Sequence, residues 1–215
     1  MNGAVSSERH ADHLLLVATR SAGKLRELHP LFAARGLSAI DLAAAGVAET
    51  GDEDALEAFE TFEENALAKA RHFHRVTGLR TVADDSGIVA PALGGLPGVR
   101  SKRWSGRIDL AGQPLDDENN RLLLARLRGH ADRSAYYVCA AAYVDDRVEL
   151  VRRGEVHGHV IEQPRGANGF GYDPYFLSAE LGKTFGEASR EEKEFVSHRG
   201  RAFRALLEAM DAPGE

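Results

Sequence analysis

Two adjacent aspartates, Asp84 and Asp85, sit in the stretch TVADDSGIV between strand-type residues and a Ser-Gly pair. Unpaired charge is costly to bury, so side-by-side carboxylates in an apolar run point to a task. Neighbouring strand residues face opposite ways, which lets one aspartate hold structure while the other works. A carboxylate at a strand end, followed by the small residues Ser86 and Gly87 that let a ligand approach the backbone, suits a Mg²⁺ ligand or a general base. A capped turn uses the same residue types. Glu49, in the acidic loop ETGDED, offers a second oxygen. Mg²⁺ needs only one or two protein carboxylates, because water and substrate phosphates complete its shell.

Two further stretches suit anions. In ATRSAGK (residues 18–24) the chain leaves a strand, turns at Ser21 and enters a helix near Lys24. Free amides at a helix start plus a lysine suit a phosphate, and an ordinary N-capped surface helix has the same look. It is not a P-loop, since Ala18 and Leu25 stand where that motif needs Gly and Ser/Thr. In EEKEFVSHRGRA, Ser197 reads as an N-cap with His198 and Arg199 in the first turn and Lys193 just before it. Cations oppose the helix dipole at that end, so they make sense if an anion shares the site; a solvated basic edge is the plainer alternative. GANGFGYDP, with Phe170, Gly171, Tyr172 and Asp173, pairs exposed backbone with aromatic faces. It suits either the grip of a planar base or a rigid aromatic-packed turn.

The elements that must position these residues alternate between strand and helix. LLLVA reads as a buried strand, followed by a helix with Leu25, Leu28, Leu31 and Phe32 on one face that stops at Gly36. LSAIDL offers a second strand, and a helix is expected from about Asp54 to Val76, with Phe59, Phe62, Ala66, Ala70 and Phe73 lining one face. The DDSG segment reads as a strand broken at its polar centre. The basic loop LPGVRSKRWSG, a helix over 116–127, a hairpin turning at Asp145-Asp146 and a final helix over 197–210 complete the chain. Such mixing argues for an α/β protein with a mixed central sheet flanked by helices.

At 215 residues the chain fits one domain, here 13–212 behind a flexible tail of 1–12. A net charge of -6 gives no footprint for coating nucleic acid. The lone Cys139 excludes an intrachain disulfide and a cysteine zinc cluster. A polar start and a short apolar run after it leave no signal segment or membrane span. The expectation is a cytoplasmic protein with neither nucleic acid nor membrane as partner.

Taken together, LLLVATRSAGKLREL, TFEENALAKARHF, VADDSGIVAPALGGLPGVRSKRWSG, GFGYDPYF and KTFGEASREEKEFVSHRGRA, in this order, resemble the non-canonical purine nucleoside triphosphate pyrophosphatases, the family that includes inosine/xanthosine triphosphate and dITP/XTP pyrophosphatases. The resemblance implies two lobes around a nucleotide-binding cleft, a homodimer, and Mg²⁺-assisted hydrolysis of dITP, ITP or XTP to the monophosphate and pyrophosphate. It makes Asp85 the catalytic base or metal-bound carboxylate and Glu49 the other metal ligand. Thr19, Arg20, Ser21, Ala22, Gly23 and Lys24 then form the phosphate-binding turn, with Ser86 beside the metal and Lys69 aimed at the triphosphate. Phe170, Gly171, Tyr172 and Asp173 frame the base, while Lys193, His198 and Arg199 close its pocket. Two departures stand out: Arg20-Ser21 replaces the family's usual Gly-Asn, and a longer segment before TFEENA leaves Glu53 or Glu57 as substitutes for Glu49. The competing readings are a pyrophosphatase for other modified nucleotides and a non-catalytic nucleotide-binding protein.

Overall fold

β1 (Leu14–Val17) pairs in parallel with both β2 (Ser38–Asp41) and β3 (Thr81–Val89), whereas β5 (Glu149–Val160) pairs antiparallel with β6 (Phe176–Ser178). With β4 (Ser134–Val144) between β3 and β5, the six strands run β2-β1-β3-β4-β5-β6, a mixed sheet as expected. These relations come from a computed structural model that describes residues 14–212. The expected tail of 1–12 lies outside the described residues. Among them no helix is long and apolar enough to cross a membrane.

Among the described residues five α-helices accompany the sheet: α1 (Ala22–Ala33), α2 (Phe62–Thr77), α3 (Gln113–Arg126), α4 (Arg190–Val196) and α5 (His198–Asp211). The chain divides into two compact units, the first drawn from Met1–Asp85, Ala140–Arg152 and Phe203–Glu215, the second from Ser86–Cys139 and Arg153–Ala202. In unit 1 Leu15, Leu16, Phe32, Phe73, Val82 and Phe203 are buried, and the rings of Phe32 and Phe203 meet edge to face at 5.7 Å. Unit 2 has its own core, in which Ile88, Leu127, Tyr137, Val156, Phe176 and Phe185 cluster.

Four elements depart from the sequence expectation. The second long helix begins at Phe62 rather than near Asp54, because the Thr61 hydroxyl accepts the Glu64 N–H and caps it there. Gly51–Glu57 instead forms a 3-10 segment with its own Thr50/Glu53 capping box, and Phe59 is exposed rather than packed. β3 is not broken: Asp84 and Asp85 lie in the interior of a nine-residue strand, both buried. The short helix α4 was hidden in SREE, a Ser189/Glu192 capping box.

Unit 2 also explains where His198 and Arg199 sit. A Cβ on Gly154 of β5 would strike the His198 carbonyl and the Ala202 amide nitrogen, so this glycine lets the start of α5 lie directly on the strand. Gly154→Ala should therefore destabilise the protein by roughly 1–3 kcal/mol through overpacking. Urea unfolding should read this as a lower midpoint at an unchanged slope.

Candidate active site

The functional side chains of unit 1 gather around β3. Asp84 meets the Lys24 ammonium at 3.0 Å, and Lys24 stands in the first turn of α1, where the Ser21 hydroxyl accepts its backbone N–H. The Thr19 hydroxyl accepts the Ser21 N–H at 3.2 Å, and Ala22 and Gly23 begin the helix. On the next residue of the strand, Asp85 accepts a hydrogen bond from the Asn65 side-chain amide at 2.9 Å. One turn along α2 from Asn65, Lys69 donates to the Asp84 backbone oxygen at 2.5 Å and to the Glu57 carboxylate at 2.6 Å. The i, i+4 spacing of Asn65 and Lys69 brings both to one stretch of β3, while strand alternation directs the Asp84 carboxylate to Lys24 and the Asp85 carboxylate to Asn65.

Electrostatics in this cluster are dominated by burial. Burial alone would lower the Lys69 pKa, yet Glu57, Asp84 and Asp85 outweigh it and hold the ammonium above its ordinary value. Burial pushes the Asp85 carboxyl up, and Glu57 adds to this, while Lys69, Lys24 and the Asn65 N–H pull the other way. Two lysines thus face three carboxylates, and the positive charge present does not offset the desolvation of Asp85. The oxygens here are hard donors, the chemistry that fits a divalent cation such as Mg²⁺.

The acidic loop before the cluster is strapped by Arg20. Its guanidinium donates to the Val47 and Ala48 carbonyls at 2.9 and 3.0 Å and forms a two-pronged pair with Glu53, the shorter contact at 2.6 Å. Hydrogen bonding to Arg20 holds the Glu53 carboxyl below its ordinary pKa. Of the three glutamates weighed from the sequence, Glu53 is bound to Arg20, Glu57 is bound to Lys69, and Glu49 is exposed between the two points that Arg20 grips.

Unit 2 holds the other set. Asp173 is buried and accepts from Lys193 at 2.6 Å, from the Phe170 N–H at 2.8 Å and from the Tyr137 hydroxyl at 3.2 Å. The His198 ring stacks on Tyr137 with centroids 4.5 Å apart. The cationic ends of Lys193 and Arg199 lie 5.2 and 5.8 Å from the centre of the half-buried Phe170 ring. Arg199 also donates to the Ser86 hydroxyl at 2.7 Å. Tyr172 belongs to the unit 2 core, its hydroxyl donating to the Ser101 carbonyl at 2.7 Å, so Phe170 is the aromatic face this loop offers. Sequence reasoning passed over Tyr137, Asp116 and Asn120, which reach these groups only through long-range contacts.

The chain is similar to known proteins along nearly its whole length. The sequence profile of the Ham1 family matches residues 15–209. A dITP/XTP pyrophosphatase of Ralstonia nicotianae is 49% identical over 200 residues, spanning 91% of this chain and 96% of its own. One from Burkholderia pseudomallei is 45% identical over 197 residues, covering 90% of this chain and 91% of its own. The structure of a HAM1 protein from Coxiella burnetii superposes with a TM-score of 0.79 at 34% identity, over 92% of this chain and 98% of that one.

Two outcomes follow from unit 1. Lys69→Met, which strands buried carboxylates, should cost roughly 3–5 kcal/mol, and adding Glu57→Gln should recover part of that loss in a double-mutant cycle read by urea unfolding. Arg20→Ala should speed amide exchange across 47–53 about tenfold or more, since charge-assisted bonds of about 1.5–3 kcal/mol are lost.

Proposed function

Because this chain belongs to the Ham1 family, we propose the following division of labour for its reaction. The protein hydrolyses non-canonical purine nucleoside triphosphates, dITP, ITP and XTP, to the monophosphate and pyrophosphate, and so cleanses the nucleotide pool. The observation that carries the mechanism is the buried Asp85, raised in pKa by its burial and held by Asn65 beside Lys24 and Lys69.

Asp85 accepts a proton from the attacking water as the water oxygen bonds to the α-phosphorus. The bond from that phosphorus to the bridging oxygen breaks, and pyrophosphate leaves. Asp85 and Glu49 would hold the divalent ion, Mg²⁺ in this reading, which supplies charge neutralisation on the phosphates and a more electrophilic phosphorus. Thr19, Arg20, Ser21, Ala22, Gly23 and Lys24 form the phosphate turn, with Lys69 and Ser86 adding a cation and a hydroxyl. Arg20 contributes by seating the loop of Glu49, and Ser21 by its hydroxyl and cap. Phosphoryl transfer asks for positioning and for neutralised charge more than for a special nucleophile.

Phe170 stacks on the base and Gly171 and Asp173 frame it, while Tyr172, expected to join them, serves by anchoring the loop in the core through Ser101. Lys193, His198 and Arg199 close the pocket around the purine and its 6-oxo group. Donors placed for that oxygen are left unpaired by a 6-amino purine, which makes the discrimination large. Residues 13–212 work as one pyrophosphatase domain, a reading supported by relatives that match along nearly their whole length. The enzyme acts in the cytoplasm as a homodimer, as the family resemblance implies.

With Mg²⁺ and a panel of dITP, XTP, dATP and dGTP, pyrophosphate should be released first and fastest from the deaminated substrates. Orthophosphate as first product would overturn cleavage between the α and β phosphates. Asp85→Asn should lower kcat by roughly 10²–10⁴ with the fold intact by circular dichroism. Lys24→Ala should raise KM for triphosphate and weaken inhibition by pyrophosphate, and Arg199→Ala should weaken inhibition by IMP.

A further inference from the structure

Helix α3 touches the base loop at one residue and from both sides. The Gly171 N–H donates to the Asp116 carboxylate at 2.9 Å, and the Gly171 carbonyl accepts from the Asn120 side-chain amide at 2.9 Å. These groups belong to the two peptides that flank Gly171, so the pair of bonds fixes both of its backbone torsions. Gly171 sits at φ +64° with nothing within 4 Å of a would-be Cβ, so packing does not hold it there. Glycine is also the residue with the most backbone freedom to lose. It is the swivel between Phe170 and the Tyr172-Asp173 pair.

Asn120 is an expensive way to fill its place. It is 3% exposed, and its side-chain oxygen is buried with no hydrogen-bond partner among the described residues. An apolar side chain of similar shape would avoid that penalty, so the single bond to Gly171 is what the residue supplies. The preceding Asn119 spends both of its groups otherwise, accepting from the Ser105 N–H at 2.8 Å and donating to the Lys102 carbonyl at 3.0 Å. It thereby fixes the segment whose Ser101 carbonyl receives the Tyr172 hydroxyl. Every contact lies within unit 2.

We propose that Asp116 and Asn120 are positioning residues that set base specificity, by locking Gly171 so that Phe170 and Asp173 present a fixed frame to the purine. The proposal rests on the reading that Phe170 to Asp173 frame the base. Neither residue meets the nucleotide; they act through the loop. The lock matters for selectivity because a swivelling frame would let donors follow a 6-amino purine and so lose the penalty of leaving them unpaired.

The test uses the full-length protein, dITP and dGTP as substrates, and pyrophosphate as inhibitor. Asn120→Asp keeps the shape but sets an acceptor against the Gly171 carbonyl, and Asp116→Ala removes the other bond from a half-exposed position. Asp116→Asn keeps an acceptor for the Gly171 N–H and serves as the conservative rescue. Each contact-breaking variant should raise KM for dITP about tenfold with kcat within about threefold, and narrow the dITP:dGTP preference about tenfold, the scale of one net hydrogen bond. Pyrophosphate inhibition should stay within about twofold, and Asp116→Asn should behave as the parent. Amide exchange at Phe170–Asp173 should quicken in Asn120→Asp and Asp116→Ala alone. Unchanged preference or unchanged exchange in both would overturn the proposal, as would pyrophosphate affinity falling in step. An unaltered parent with no preference for dITP would instead sink the functional reading, and the exchange measurement would still judge the lock.

Discussion

The buried ammonium of Lys69 governs how much negative charge the interior of β3 can carry. It joins the Asp84 backbone oxygen to the Glu57 carboxylate, is itself held charged by Glu57 and the two aspartates, and draws the Asp85 carboxyl down against its burial. A strand interior is a poor place for adjacent carboxylates, because desolvation disfavours their charged forms. Lys24 meets one aspartate and Lys69 steadies the group, so the strand runs unbroken through them. The remaining imbalance, three carboxylates to two lysines, is not a defect. In the proposed reading, a divalent ion and a polyphosphate bring charge of both signs to this cluster.

Unit 2 solves the mirror problem. Here one buried carboxylate, Asp173, gathers donors from three places: the α4 lysine, the β4 tyrosine and the amide of its own loop. Lys193 is thereby held near Phe170, and Tyr137 presents a flat face on which His198 stacks. Buried charged hydrogen bonds are geometrically demanding, which is why such an arrangement specifies orientation more than it adds stability. In unit 1 several carboxylates share two lysines; in unit 2 one carboxylate fixes the shape of its surroundings.

These two logics explain what could be seen in the sequence. β1, α1, the β4–β5 turn at Asp145 and the final helix are local patterns of period and punctuation, and they were legible. The motif residues were legible too, since Asp84-Asp85, Lys24 and the GFGYDP loop are contiguous in the chain. The unbroken β3 was not, because it depends on Lys24 and Lys69, distant in sequence from the aspartates they steady. The start of α2 was written locally in TFEE, where Thr61 and Glu64 form the cap, but the acidic stretch before it mimicked a helical first turn. Arg20 looked like a departure from a motif; only the fold reveals it as a strap on residues 47–53. Asp116 and Asn120 carried no signal, as their partner lies more than fifty residues away.

Separating the two sets also separates two kinds of tolerance. Coulomb interactions fall off gently with distance, so a charged side chain displaced by a few tenths of an ångström still neutralises a phosphate. Reading a purine edge is different, since a hydrogen bond weakens steeply with angle and a misplaced donor no longer punishes the wrong base. In the proposed division of labour the phosphates fall to long cationic side chains such as Lys24 at the start of a helix, and the base falls to a loop whose Gly171 backbone is pinned by side chains of another helix. On that proposal, base preference could drift through α3 residues such as Asp116 and Asn120, while the carboxylates and lysines around β3 stay as they are.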